Sequence, residues 1–363
     1  MELTLTSQNE YNRIAGTHMT AEEAFEYMSK TLPLRSFGEV LARFSDTSNL
    51  KNRLTDALCE YSPHMSSDSI SRKVRGWIAG QYGPSDRETY FQLCFALKLS
   101  EGKAQEFLSY CTSGGFHCRD PRELTYAFAL RIGMSYPDAV SLYNSLPKLP
   151  EHSDEETAYT QELLAEFNVI TSINEFLRFY TDNIDKLGSL HNTAYKYFKT
   201  FIKCLKNPDD ENALNGSTEI SYERLMQDYI RMNVPSNAAR GRYTYVQKMI
   251  KKYWPSATSI KNMMNRKEDV SRKALILLYL ITEGIAHDVK YEFIYNDELS
   301  PAEQFGEHYE RLCIMLTDCG MSTPDPRNMF DWAALYAIKM NNSDEMHGEM
   351  KALIESIFEE NRE

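Results

Sequence analysis

The stretch Ser85-Asp86-Arg87-Glu88-Thr89-Tyr90-Phe91-Gln92-Leu93-Cys94-Phe95-Ala96-Leu97 decides the fold class. Ser85 with Glu88 three residues on reads as a capping box, in which each side chain satisfies the other residue's orphan backbone N–H. Behind it Tyr90, Phe91, Leu93, Cys94 and Leu97 recur at helical spacing. The same grammar repeats outward. Thr20 with Glu23 opens a helix through Lys30, and Ser300-Pro301-Ala302-Glu303 combines a cap, a proline at the first helical position and an acid at the third. No stretch sustains a period of two between hairpin turns, and Lys290 to Tyr295 is an isolated extended candidate. The expectation is an all-α, multi-helix chain.

Bulk properties narrow the class. At 363 residues the chain has room for two or three domains. With 42% hydrophobic and 25% charged residues, 16 Gly and 13 Pro, it reads as a globular protein without long disordered tracts. Met1 to Glu10 is polar and leads into no apolar run, which weighs against a secretory signal. The longest apolar run, Ala274 to Ile281, is far below the roughly 20 residues that span a bilayer. Seven cysteines without paired close spacing point to a reducing, cytoplasmic compartment.

Two polar, proline-bearing stretches read as boundaries: Leu146 to Glu156 and Asn207 to Thr218. They divide the chain into an N-terminal arm and helix (1–30), a front helical block (31–150), an acidic helical connector and linker (151–218) and a basic helical back block (219–363). Front and back share short echoes in the same order. Ile70-Ser71-Arg72-Lys73 pairs with Val270-Ser271-Arg272-Lys273, and Asp120-Pro121-Arg122 with Asp325-Pro326-Arg327. The echoes are either an ancient duplication or coincidence among helix-start sequences.

Charge is distributed unevenly. From Arg231 to Lys273 eleven basic residues face two acids, a local balance of +9 in a chain of −12, which leaves −21 for the rest. Such concentration is the footprint of an anionic partner. Arg240 and Arg242 fall in a loop. A helix over Tyr243 to Tyr253 carries Val246, Met249, Ile250 and Tyr253 on one side and Gln247, Lys248, Lys251 and Lys252 on the other. Trp254-Pro255 ends it, because a residue before proline avoids the helical region. A second helix from Thr258 or Ser259 presents Lys261, Arg266 and Lys267. These cations suit phosphates, and Tyr243, Tyr245 and Trp254 suit stacking on unpaired bases. The competing reading is a solvated face paired with Glu151, Asp154, Glu155, Glu156, Glu162 and Glu166 of the same chain.

In the front block, Trp77-Ile78-Ala79-Gly80, then Pro84-Ser85-Asp86-Arg87, then Cys94-Phe95-Ala96-Leu97-Lys98-Leu99-Ser100 resembles the second half of the Cro-repressor-type helix-turn-helix domain, in a variant common in Gram-positive bacteria. The resemblance covers residues 50–150. It implies a recognition helix over Ser69 to Ala79 with Arg72, Lys73 and Arg75 facing the DNA groove. The family pattern calls for a second helix and a turn before it, and the few residues between Tyr61 and Ser69 predict that this supporting helix is shortened or lost.

Catalytic signatures are absent from the sequence. His117-Cys118 with Cys111 matches no paired zinc-ligand spacing, Glu307-His308 lacks the zinc-protease arrangement, and no phosphate-binding glycine loop occurs. The expectation is a cytoplasmic, non-enzymatic, DNA-binding transcriptional or mobile-element regulator. It needs no cofactor or metal, binds double-stranded DNA, has no membrane association, and is open to a homodimer. The alternative is a helical adaptor or inhibitor of a protein partner, whose acidic surface mimics nucleic acid.

Overall fold

The computed structural model describes residues 3–45, 49–112, 114–149, 160–188, 190–206, 226–235, 243–282, 299–340 and 345–359. Among these residues regular structure is helical, with one isolated antiparallel bridge between Gly114 and Met321. The all-α expectation holds. The extended candidate at 290–295 lies outside the described residues. The chain divides into two units, Arg35–His191 with Gly320–Ser322, and Met1–Leu34 with Asn192–Cys319 and Thr323–Glu363. The connector read from the sequence is thereby shared: residues 160–191 belong to the first unit and 192–206 to the second.

In the first unit the helices are α3 (Phe37–Arg43), α4 (Leu50–Tyr61), α5 (Ser67–Ile78), α6 (Arg87–Ala96), α7 (Glu101–Cys111), α8 (Pro121–Arg131), α9 (Tyr136–Ser145), α10 (Thr160–Asn168) and α11 (Ile173–Asp182). Between Tyr61 and Ser69, where the resemblance calls for a supporting helix and a turn, residues 62–66 are non-helical and α5 has already begun at Ser67. Leu50, Leu54 and Leu58 repeat every four residues and bury one face of a 12-residue α4, which packs on α5, and residues 62–66 form the turn. Ser66 caps α5 by accepting the Ser69 N–H, so the helix opens two residues before the expected start. Ile70, Val74 and Trp77 of α5 join the core that holds the α4 leucines.

At the end of α5, Gly80 adopts φ +68°, while Gln81 N–H reaches Gly76 O and Gly80 N–H reaches Trp77 O, both at 3.0 Å. That pair of bonds closes a helix with a left-handed residue that glycine tolerates best. The α6 cap also differs from expectation. Asp86, not Ser85, accepts the Thr89 N–H at 2.8 Å. Glu88 is drawn inward instead, accepting the Tyr126 and Tyr136 hydroxyls at 2.7 Å each.

The second unit contains α1 (Leu5–Gly16), α2 (Ala21–Lys30), α12 (Asn192–Lys206), a π-helical turn (Met226–Ile230), α13 (Tyr245–Tyr253), α14 (Ala257–Met264), α15 (Arg272–Ile281), α16 (Pro301–Asp318), α17 (Met329–Ile338) and α18 (Met346–Phe358). The capping boxes expected at Thr20 and Ser300 are both formed. Every residue of α17 and Ala274 to Ile281 of α15 are buried. A helix apolar on all sides must be enclosed, and α17 packs against α13, α15, α16 and α18.

Each unit carries the same clamp. Arg87, first residue of α6, donates to Glu123 at the third position of α8 (Nη2–Oε2 2.7 Å) and to Gly115 O (2.6 Å) in the preceding loop. Arg272, first residue of α15, donates to Asp331 at the third position of α17 (Nη1–Oδ1 and Nη2–Oδ2, both 2.8 Å) and to Thr323 O (3.2 Å). The structural counterpart of Arg272 is thus Arg87, whereas Arg72, its partner in the sequence echo, sits inside α5. Asp120 caps α8, but Asp325 does not cap α17, where Asn328 does.

A buried histidine makes the second unit sensitive to acid. His308 on α16 stands with Nδ1 2.9 Å from the Tyr279 hydroxyl, and burial depresses its pKa to about 4. Below its ordinary pKa near 6.5 the unfolded chain takes up a proton that the folded one refuses. The stabilisation is therefore complete above pH 6.5 and is lost as pH falls to about 4, by up to about 3 kcal/mol. Urea titrations between pH 7 and pH 4 should show that fall, and His308→Gln should flatten this component.

Candidate nucleic-acid interface

On α5 the apolar residues Ile70, Val74 and Trp77 face inward, and Arg72, Lys73 and Arg75 are exposed. By helical spacing Arg72 and Arg75 lie opposite the buried stripe, with Asp68 between them on the same face. Lys73 leans toward the turn, its Nζ 3.8 Å from Met65 Sδ. Arg75 Nε bonds the Ser71 carbonyl at 3.4 Å.

In the other unit α13 begins at Tyr245 after a capping box between Thr244 and Gln247. Gln247 does not lie on the polar side. It is buried, and its amide donates to Ile357 O at 2.7 Å, because a capping side chain at the third position turns back toward the protein. Lys248 and Lys252 are exposed, while Lys251 is half-buried, with its ammonium 4.4 Å from the Tyr243 ring centre. Of the three aromatics expected to stack on bases, two are engaged in packing. Trp254 is buried and donates to Ile230 O at 2.9 Å, and Tyr243 packs edge-on against Phe358. Tyr245, 62% exposed on the face of Lys248 and Lys252, is presented to solvent.

Ser256 caps α14, which carries exposed Lys261. Exposed Lys267 and half-buried Arg266 follow in the turn. Among the described residues none of Arg72, Lys73, Arg75, Lys248, Lys252, Lys261, Arg266 and Lys267 is ion-paired. Two members of the basic stretch play another part. Arg272 is consumed by Asp331, and Lys273 is half-buried with its pKa pulled down by desolvation. Arg240 and Arg242 lie outside the described residues, as do Glu151, Asp154, Glu155 and Glu156. Glu166 accepts the Asn183 amide at 3.0 Å within its own unit.

The helical connector brings a basic face that the charge count over the whole segment conceals. The fifteen residues of α12 carry Lys196, Lys199, Lys203 and Lys206 and no acid, and the first three lysines are exposed. The segment was hidden inside a connector judged acidic from Glu151 to Glu166. Counting charge helix by helix would have separated it.

Three of the thiols are held protonated by burial. All seven cysteines are free, and burial raises the pKa of Cys118 and Cys313 to about 11 and of Cys319 to about 12. Such thiols stay protonated and inert near neutral pH. No helix among the described residues is long and apolar enough to cross a membrane. Compared with protein-family models, curated proteins and solved structures, the chain matches none.

Proposed function

We propose that this chain is a DNA-binding regulator. Its affinity comes from Lys248, Lys251, Lys252, Lys261, Arg266 and Lys267, together with Arg240 and Arg242 of the same basic stretch, and its sequence readout comes from Arg72, Lys73 and Arg75. The observation that carries this reading is that Lys248, Lys252, Lys261, Arg266 and Lys267 make no ion pair among the described residues, in a protein that elsewhere spends its arginines on carboxylates. Unpaired surface lysines along helices are what counterion release from phosphates requires. A capped α5 packed on a full α4 across a short turn supports helix-in-groove recognition.

Readout and affinity separate on mutation. Arg72→Ala with Arg75→Ala should flatten the motif selected from a random duplex library, at a cost of about 1–3 kcal/mol on the preferred site per lost base contact. The dependence on salt should change little. A library enriched identically by the variant and the parent assigns α5 no role in readout.

A second reading, a helical adaptor binding a protein, is favoured by one feature. Leu164, Val169, Ile173 and Leu177 are exposed around α10 and α11, with Val169 at 76%. Exposed apolar clusters mark protein contacts. Capture of a partner that Val169→Asp abolishes, with no DNA affinity in the parent, decides for this reading.

A further inference from the structure

The geometry points to α12 as a second phosphate-tracking element, so that the nucleic acid engaged by the basic stretch continues along this helix; the inference rests on the DNA-binding reading above. Lys196, Lys199 and Lys203 follow at intervals of three and four residues, on the side opposite buried Ala194, Phe198, Phe201, Ile202 and Leu205. Their span is roughly 10 Å along the axis at 1.5 Å per residue. One strand of a duplex carries a phosphate about every 3.4 Å of its axis, so the three ammonium groups match about three phosphates.

The basic stretch and this stripe meet. Arg266 follows α14 with φ +53°, where Lys267 N–H bonds Asn262 O at 2.9 Å and Arg266 N–H bonds Met263 O at 3.1 Å. This helix-closing position favours glycine, yet it holds an arginine. The guanidinium lies 4.3 Å from the Tyr195 ring centre and donates to Asn192 Oδ1 at 2.7 Å. The Tyr195 hydroxyl in turn donates to Met264 O at 3.4 Å. By helical spacing Asn192, Tyr195, Lys196, Lys199 and Lys203 share one face of α12, so Arg266 is seated on the first turn of the lysine face.

The kind of partner follows from what the face lacks. Among the described residues of α12 no large apolar side chain is exposed. Protein interfaces draw their energy from buried aromatic and apolar anchors. Lysines alone fit a phosphate backbone, which positions a protein without reading sequence.

The test uses the full chain and a fluorescein-labelled random-sequence duplex, with anisotropy followed across a range of salt concentrations. Changing Lys196, Lys199 and Lys203 together to Gln should weaken binding about 500-fold at 0.1 M salt and flatten the slope of log K against log salt by about 2.7, at about 0.9 per phosphate. Arg266→Gly should flatten the slope by about 0.9 with only a small change in Tm, since the relief of a left-handed backbone offsets the lost Tyr195 and Asn192 contacts. This variant keeps the test sharp if the triple variant loses Tm. A parent that binds while both variants keep its affinity and slope overturns the role of α12 and leaves the DNA-binding reading standing. A parent that binds neither the duplex nor a single strand overturns both. Equal binding of polyglutamate, with the same loss in the variants, overturns the phosphate assignment in favour of an acidic protein.

Discussion

Arg272→Ala is expected to remove about 3–5 kcal/mol from the unit built on α15 and α17, because breaking a buried ion pair strands its partner. Asp331 is the partner, with its side chain 3% exposed, and Arg272 is 11% exposed. Asp331 Oδ2 also accepts the Asp325 N–H at 2.8 Å, so its carboxylate helps to shape the loop that enters α17. Without the guanidinium that carboxylate must either stay charged in an apolar surround or take up a proton. Arg272→Lys keeps one charge but loses the two-pronged geometry, and should recover only part of the loss. Replacing both partners with Met and Leu should cost less than either single change, since no charge is then left buried. Urea titrations followed by tryptophan fluorescence check this, because Trp254 and Trp332 are buried in this unit and Trp77 in the other. A loss below about 1 kcal/mol would place the pair among ordinary surface bridges.

Lys248→Glu with Lys252→Glu is expected to lower DNA affinity at least about 60-fold at 0.1 M salt. Each phosphate contact supplies about 0.9 of a power of ten per tenfold dilution of salt, so two contacts supply about 1.8. Reversing the charges adds repulsion on top of that loss. Both lysines are exposed on α13 while Val246, Gln247 and Ile250 hold the opposite face in the core, so the fold should survive the change. Titration of a labelled duplex, with a thermal melt beside it, reads affinity and integrity separately. Unchanged affinity with an intact fold removes α13 from the interface.

Where local rules act alone, the sequence was easy to read. The boxes at Thr20 and Ser300 need only their own four residues, and both stand as read. Where a side chain had a tertiary alternative, the local rule lost. Glu88 left its expected cap for two core tyrosines, and Gln247 was read as polar surface yet reaches the α18 backbone. The leucine period at 50, 54 and 58 is local like the boxes, and α4 buries that face. The candidate site was legible as charge and not as arrangement. Composition marked Lys248, Lys252 and Lys261 for the surface, but gave no sign that Arg272 is paired inside or that α12 lies against Arg266. Those facts depend on contacts across dozens of residues, which no window along the chain contains.

Equilibrium binding of the full chain to a random-sequence duplex, from low to moderate salt, decides whether the exposed cations bind a nucleic-acid backbone. If Lys248, Lys252, Lys261, Arg266 and Lys267 each meet one phosphate, log K should fall linearly with log salt at a slope of about −4.5, steeper once α12 takes part. No binding at the lowest salt, or binding indifferent to salt, would rule out a phosphate backbone as the partner of these cations.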